Sequence, residues 1–557
     1  MTALTQSKPT RRWRWPSIWS VGAAAIALPI AVPIVAVMLT FFTPSSEVWQ
    51  HLRESVLTEY ILNTAVLLAL VGLLVGVVGV ACAWLVATRD FPGRNILVWA
   101  LILPFAAPAY VVAYAYADLL AYASPLQTAL RDVGILSSGL PAVRSLPGAA
   151  LVLGLTLYPY VYLFAYGAFS QQARPLTEAA RMLGASRGRA FFSIALPHAR
   201  PAIAGGIALA LMETAADFGV VDFYGVPTLT NGIFRTWYAQ GEHQAAMQLA
   251  GWLFMVVLLL VMLERFARRG SYANPVSRNH ALPLEPLRGP RGWGAILLCA
   301  TPVVLGFVLP VAVLAGHAID TGDPVLGKSF TRYVVTSLGV AGIAAIIAAL
   351  CAVFLTYGLR LHAGRWLKLC VQTATLGYAL PGMVLAIGLI GPLTRLDKWL
   401  ASGFEALFDW RSGLLLTGSA AVLIFVYLAR FLTVAYNSCD SGLARIHPHY
   451  DSAARSLGAG RTRLLLRVHT PMMMPAILTA VLLVFVDVIK ELPATLILRP
   501  FNFETLATRA YRLASDERIA EASTAALCLV AAGVIPALLI ARQNFGRSAE
   551  PSGDIGT

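Results

Sequence analysis

Residues 178–197, EAARMLGASRGRAFFSIALP, return 274 positions later as residues 452–471, SAARSLGAGRTRLLLRVHTP. Ala179, Ala180, Arg181, Leu183, Gly184, Ala185, Arg187, Arg189 and Pro197 meet Ala453, Ala454, Arg455, Leu457, Gly458, Ala459, Arg461, Arg463 and Pro471 with no insertion between them. A repeat this long means two copies of one structural unit, so whatever one half of the chain folds into the other half must fold into as well. Each copy is polar and Arg-rich between strongly apolar stretches. It reads as a short helix, a Gly turn, a second short helix and a Pro that opens a membrane span.

Composition says what those apolar stretches are. The chain of 557 residues is 58% hydrophobic and only 13% charged, against about 25% charged in soluble domains, and its mean hydropathy is +0.70. A spanning helix needs about 20 apolar residues. Runs near 21–42, 63–87, 96–120, 149–169, 202–224 and 246–264 supply six, and runs near 293–316, 334–358, 369–394, 413–436, 475–498 and 522–541 supply six more in the same order. The first run exceeds the roughly 7–15 residues of a signal-peptide core and reads as a retained span. The expected fold is therefore all-α, a polytopic membrane protein of about twelve transmembrane helices in two parallel six-helix repeats. Its expected parts are an N-terminal tail (1–20), a first module (21–266), a linker (267–291), a second module (292–542) and a C-terminal tail (543–557). Six cysteines are scattered without C-x-x-C spacing and read as packing residues.

Six spans separate the two repeat loops, so both lie on one side of the membrane. Arg174, Arg181, Arg187, Arg189 and Arg200 in one loop, and Arg445, Arg455, Arg461, Arg463 and Arg467 in the other, assign that side to the cytoplasm. Both termini and the Arg- and Pro-rich linker fall there too. The net charge of +14 is thus a matter of topology, with membrane lipid around the chain and no nucleic acid implied. The longer outer segments, near 121–148, 223–245 and 499–521, are placed to meet an external partner.

The first repeat loop, with Glu178, Ala179, Ala180, Gly184, Ile194, Leu196 and Pro197, resembles the EAA loop of ABC-importer permeases, the cytoplasmic element that docks on the ATPase subunit. The second keeps Ala453, Ala454, Gly458 and Pro471 but has Ser452 for the Glu, with Asp451 beside it, and Val468 and Thr470 for the Ile and Leu. Two further stretches, residues 212–238 and 487–511, resemble the matching segments of fused permeases of ferric-iron ABC importers, and the likeness covers nearly the whole chain. It implies a bacterial inner-membrane, multi-pass permease that carries ferric iron between a periplasmic solute-binding protein and a cytoplasmic ABC ATPase dimer. ATP would be used by that partner; the resemblance implies no cofactor, metal site or catalytic residue on this chain, which is not an enzyme. Thiamine, polyamine and sulfate permeases share much of this architecture and stay open as alternatives. A secondary transporter with an acidic relay is a further one, disfavoured by two ATPase-docking loops.

Gly322, Gly327, Lys328 and Ser329 in GDPVLGKS satisfy the phosphate-loop pattern, but that mechanism needs a strand before it and a helix N-terminus on the phosphates. Here a membrane span precedes the octet on the outer side, so no nucleotide is expected. Ionisable residues inside spans carry more information, since they face a bundle interior or a pathway. Glu213 and Asp217 lie four apart in the fifth run, and the same offset maps them onto Asp487 and Glu491 in the eleventh, where Lys490 breaks the symmetry. On continuous helices the four acids would form two tiers about 6 Å apart along a cation path. The other reading is structural: the acids pair with Lys490 or cap backbone exposed around Gly219 and Pro493.

Overall fold

The computed structural model describes residues 18–43, 46–134, 139–170, 180, 182–268, 284–362, 364–409 and 415–545. Among these, ten unbroken helices are long and apolar enough to cross a membrane, and two bent pairs occupy the third and ninth positions. In chain order, spans 1 to 6 are Ile18–Phe42, Leu57–Thr88, the pair Arg94–Ala106 and Ala109–Leu119, Leu146–Ala168, Gly188–Ala216 and His243–Ala267. Spans 7 to 12 are Pro290–Asp320, Lys328–Leu361, the pair Arg365–Gly377 and Gly382–Leu407, Ala420–Ala444, Thr462–Ile489 and Ile519–Pro536. The chain is an all-α polytopic protein with the expected order of spans.

Four of the twelve runs are interrupted, and the interruptions repeat between the modules. Span 3 turns by 91° at Pro108, whose φ of −58° and ψ of 135° leave the helical region. In span 9 Pro381 does the same with φ −54° and ψ 136°. A proline removes an N–H from the helical ladder and pushes its predecessor toward extended backbone, which ends one helix and opens another. The fifth and eleventh runs, expected to be continuous, also break. Span 5 stops at Ala216, Asp217 is extended with ψ 133°, and a short helix Gly219–Phe223 follows. Span 11 stops at Ile489, and the next helix, Pro493–Leu498, starts on the proline. Gly219 is required by close approach, because a Cβ there would come within 2.7 Å of the Tyr110 Cβ.

Side-chain spacing decides which face of each helix meets protein. Along span 2, Leu67, Val71 and Val75 are buried while Leu62, Leu73 and Val77 are exposed, so one stripe packs inward and the other faces lipid. The modules exchange their first helices: span 1 packs on both halves of span 9, and span 7 packs on both halves of span 3. Trp19 contacts Phe354 and Tyr357 across this junction, with ring centroids 4.8 and 5.4 Å apart. Tyr357 in turn meets His469, which bonds Asp451 beside the second repeat loop. The start of span 1 and the repeat loop therefore share one face of the molecule.

Part of the segment between the modules packs on the first module. Residues 269–283 lie outside the described residues, but Glu285–Pro286 pairs in parallel with Arg89–Asp90 at the end of span 2, and an Arg89–Glu285 ion pair closes the junction. This pins the entry of the second module to the first on the face that carries the repeat loops.

Candidate translocation pathway and coupling loops

The helix breaks converge. An internal cavity of about 100 Å³ lies where the broken ends of spans 3, 5 and 11 meet span 10, lined by Tyr110, Thr156, Glu213, Asp217, Arg430, Asp487, Lys490 and Glu491 among others. Both modules contribute to it, and all five ionisable residues singled out in the sequence reach it.

They do not form two tiers of bare acids. Because span 5 ends before Asp217, its carboxylate turns onto the next helix and accepts hydrogen bonds from the Val220 and Val221 amides at 3.0 and 3.4 Å. Glu491 repeats the arrangement, accepting from the Ala494 and Thr495 amides, both at 3.1 Å. Each acid thus satisfies donors that the helix break exposes in a region with no water to replace them. Asp487 pairs with Lys490 at 3.0 Å, and the Lys490 ammonium stands 4.1 Å from the Phe105 ring centroid.

Sequence reasoning missed the residue at the centre. Arg430 of span 10 is buried; its Nη1 donates to Glu491 Oε1 at 2.9 Å and its Nη2 lies 3.5 Å from Glu213 Oε2. One guanidinium therefore ties an acid of the first module to an acid of the second. Its signal was available as a lone Arg within an apolar run, which by default marks a functional position. The 274-residue offset places Thr156 opposite Arg430 and Ala216 opposite Lys490, so the acids are pseudo-symmetric while both cations belong to the second module. Asp222 was also missed. It accepts from Asn231 Nδ2 at 2.7 Å and from the Tyr511 hydroxyl at 2.6 Å, a second polar tie between modules.

The repeat loops lie at the far end of spans 5 and 11. Glu178 and Ala179 fall outside the described residues; Ala180 is helical, and the Ala185 amide donates to its carbonyl at 3.0 Å. In the second copy, helix Pro448–Ser456 carries Ser452, Ala453 and Ala454, and the Ala459 amide donates to Ala454 at the same 3.0 Å. Gly184 and Gly458 are left-handed, with φ 90° and 78°, as a helix ending of this kind demands. The sequence implied that Pro197 and Pro471 open the spans. Instead the short helices run on through π-turns at Phe191–Ala195 and Leu465–His469 into spans 5 and 11. The wider turn makes room for the proline two residues later, which lacks an N–H and crowds the carbonyl four residues back. Ile194 lies in the first π-turn and Leu196 begins the helix that follows.

Next to the two glycines, Leu183 and Leu457 are 90% and 86% exposed, and Met182 is 89% exposed. Asp451 anchors the second loop. It accepts from Arg360 Nε and Nη2 at 3.0 and 2.8 Å and meets His469 Nε2 at 2.9 Å. Burial alone would raise its pKa, but the bonds to Arg360 and His469 hold the carboxyl below the usual range.

On the opposite face, the phosphate-loop octet follows the helix Leu309–Asp320 rather than a strand. Its Asp323 is buried against Arg509, with Nη2 to Oδ1 at 2.9 Å.

The fold and the site define a polytopic all-α membrane protein of two like modules, with broken helices at its centre and two left-handed-Gly loops on one face. The chain belongs to the family described as binding-protein-dependent transport system inner membrane component, which matches residues 76–264 and again 342–544. It is 23% identical over 547 residues, 96% of this chain and 99% of the other, to the Fe(3+)-transport system permease protein FbpB 2 of Haemophilus influenzae. It is 31% identical over 219 residues, 39% of this chain and 72% of the other, to the sulfate transport system permease protein CysW of Escherichia coli. The diacetylchitobiose uptake system permease protein NgcG of Streptomyces coelicolor is 25% identical over 191 residues, 31% of this chain and 58% of the other. Family membership sets aside the ion-coupled carrier.

Proposed function

We propose that this chain is the fused permease of a ferric-iron importer, fed by a periplasmic binding protein and driven by a separate cytoplasmic ATPase dimer. The observation that carries the coupling half is the pair of loops built alike on one face, each presenting exposed apolar side chains beside a left-handed glycine. Such a projecting knob suits insertion into a groove of a partner. The face with the loops and linker is cytoplasmic in this reading, which its arginines support. ATP is bound and hydrolysed by the partner, so this chain itself does no bond chemistry. Ferric iron as the cargo rests on the likeness to FbpB 2 along both modules, whereas the sulfate relative matches about one module.

In this reading the central cavity is the midpoint of the path. Arg430 joins Glu213 to Glu491 across the module boundary, and opening requires that contact to part. Glu213, Asp217, Asp487 and Glu491 against Arg430 and Lys490 leave the cavity with a surplus of negative charge, which favours a cation over an anion at mid-membrane.

The test is uptake in a strain lacking the chain, complemented by wild type, Gly184→Val or Gly458→Val, with ferric iron, thiamine, putrescine and sulfate compared. Wild type should restore iron uptake alone. Each valine variant should insert normally yet lose uptake and co-purifying ATPase, with Gly184→Val the more severe. Restoration of another solute would overturn the iron assignment, and unchanged uptake in both variants would overturn the coupling role.

A further inference from the structure

The face opposite the coupling loops holds a second, larger hollow. Arg360, near one end of span 8, bonds the coupling helix, and Arg332 stands 28 residues earlier in the same helix, about 42 Å away at 1.5 Å per residue. There a pocket of about 680 Å³ opens between Arg332, Tyr333 and Thr336 of span 8, the 499–504 loop, Arg512, and Tyr238 from the first module. One helix connects it to the central cavity: Pro493–Leu498 lines the pocket with Leu496 and Ile497 and is capped at its start by Glu491.

Its chemistry is basic. Three arginines line it against one carboxylate, Glu504, which already bridges Arg499 and Arg512. Arg332 has no ion pair or hydrogen-bond partner among the described residues, and neither the Tyr333 and Thr336 hydroxyls nor the Asn502 amide has a hydrogen-bond partner there. Arg499 and Arg512 occupy the positions of Gly225 and Tyr238 in the first module, so the basic group is a property of the second module only. A bare trivalent cation meeting this net positive charge at the outer mouth would be repelled. An anionic group would find a guanidinium with open donors, ringed by hydroxyl and amide donors. The volume falls within the roughly 300–1,000 Å³ typical of small-ligand sites, larger than one oxyanion requires.

We propose that this pocket binds the oxyanion ligands, carboxylate or phosphate, that accompany the ferric ion, so that iron enters the path as an anion-bearing complex. The proposal rests on the importer reading for its ferric part alone. A hard trivalent cation in neutral water is held in solution by such oxygen ligands. The arrangement then separates two tasks: the arginines hold the anionic shell outside, and the acidic surplus at mid-membrane favours the cation.

The experiment is equilibrium dialysis of the purified full chain in lipid nanodiscs, without ATPase or binding protein, against labelled inorganic phosphate and labelled citrate. Both should bind saturably at one mutually exclusive site. Arg332→Gln should weaken both by about tenfold or more, the loss expected for a charge-assisted contact, and Arg332→Lys should recover part of it. Since Arg332 has no ion pair or side-chain hydrogen bond among the described residues, its variants should keep the wild-type unfolding temperature. Saturable binding of neither anion, or equal binding by wild type and Arg332→Gln, overturns the proposal. So does normal anion binding by Arg332→Gln together with weakened association in a separate pull-down with the iron-free binding protein, which would make the pocket a socket for a partner's acidic side chain. In cells, Arg332→Gln should lower uptake of ferric citrate. If the wild-type chain imports sulfate and no iron, the ferric part falls while the dialysis result still decides whether an anion site exists.

Discussion

At the scale of the residue, the informative fact is that every acid in the central cavity has a partner. Asp217 and Glu491 cap helix breaks, Asp487 holds Lys490, and Arg430 serves Glu213 and Glu491 together. The acids were legible because they recur at the repeat offset. Their turning onto backbone amides was only one of two open readings, since an i, i+4 pair on paper looks the same whether or not the helix continues. Arg430 was not legible by that route: Thr156 stands at its position in the first module, so the repeat is silent there. Its removal should be costly. Arg430→Met leaves Glu491 buried without its guanidinium, and breaking a buried pair from one side costs about 3–5 kcal/mol. Thermal unfolding in detergent should fall accordingly, and adding Glu491→Gln should recover part of the loss, because no bare carboxylate is then left buried and the single amide oxygen can still accept from one of the Ala494 and Thr495 amides. A variant Arg430→Met as stable as wild type would show that the contact contributes nothing.

At the scale of the element, the helices are set by hydropathy and their interruptions by proline, which is why span order was readable and the breaks in spans 5 and 11 were less so. Asp217 breaks span 5 without a proline at its own position, and Gly219 is explained only by the approach of Tyr110. The π-turns before Pro197 and Pro471 were likewise invisible, because no residue pattern short of the proline itself announces them. The coupling elements differ in their anchoring. Asp451 binds the second to span 8 through Arg360 and to span 11 through His469, while its counterpart in the first loop is Thr177, outside the described residues. The folded-state pKa of Asp451 is depressed, so its stabilising effect is complete above the ordinary aspartate value of about 3.9 and fades as pH falls through the depressed one. Unfolding temperatures of wild type and Asp451→Asn should therefore differ at pH 7 and converge below about pH 4. A gap that is absent at neutral pH, or that widens on acidification, would rule out this anchor.

At the scale of the whole molecule, the decisive reading was the duplication, since it forces an even number of spans between the loops and puts both on one face. The exchange of spans 1 and 7 between modules was not legible, because both are uniformly apolar and nothing in them names a neighbour. The structure separates two faces along span 8, with Ser329 at one end and the Asp451 anchor of the coupling helix at the other. The proposal that the coupling face is cytoplasmic rests on its positive charge, and it can be checked directly. Ser329 and Ser456 are both exposed, and neither belongs to the cavity or the outer pocket. In a background with all six native cysteines replaced, Ser329→Cys should react with a membrane-impermeant thiol reagent in intact spheroplasts. Ser456→Cys should react only after the membrane is opened. Labelling of both from one side would break the two-face architecture. Labelling of Ser456→Cys alone from outside would invert it, placing the coupling loops where no ATP is found and removing the basis of the coupled-import reading.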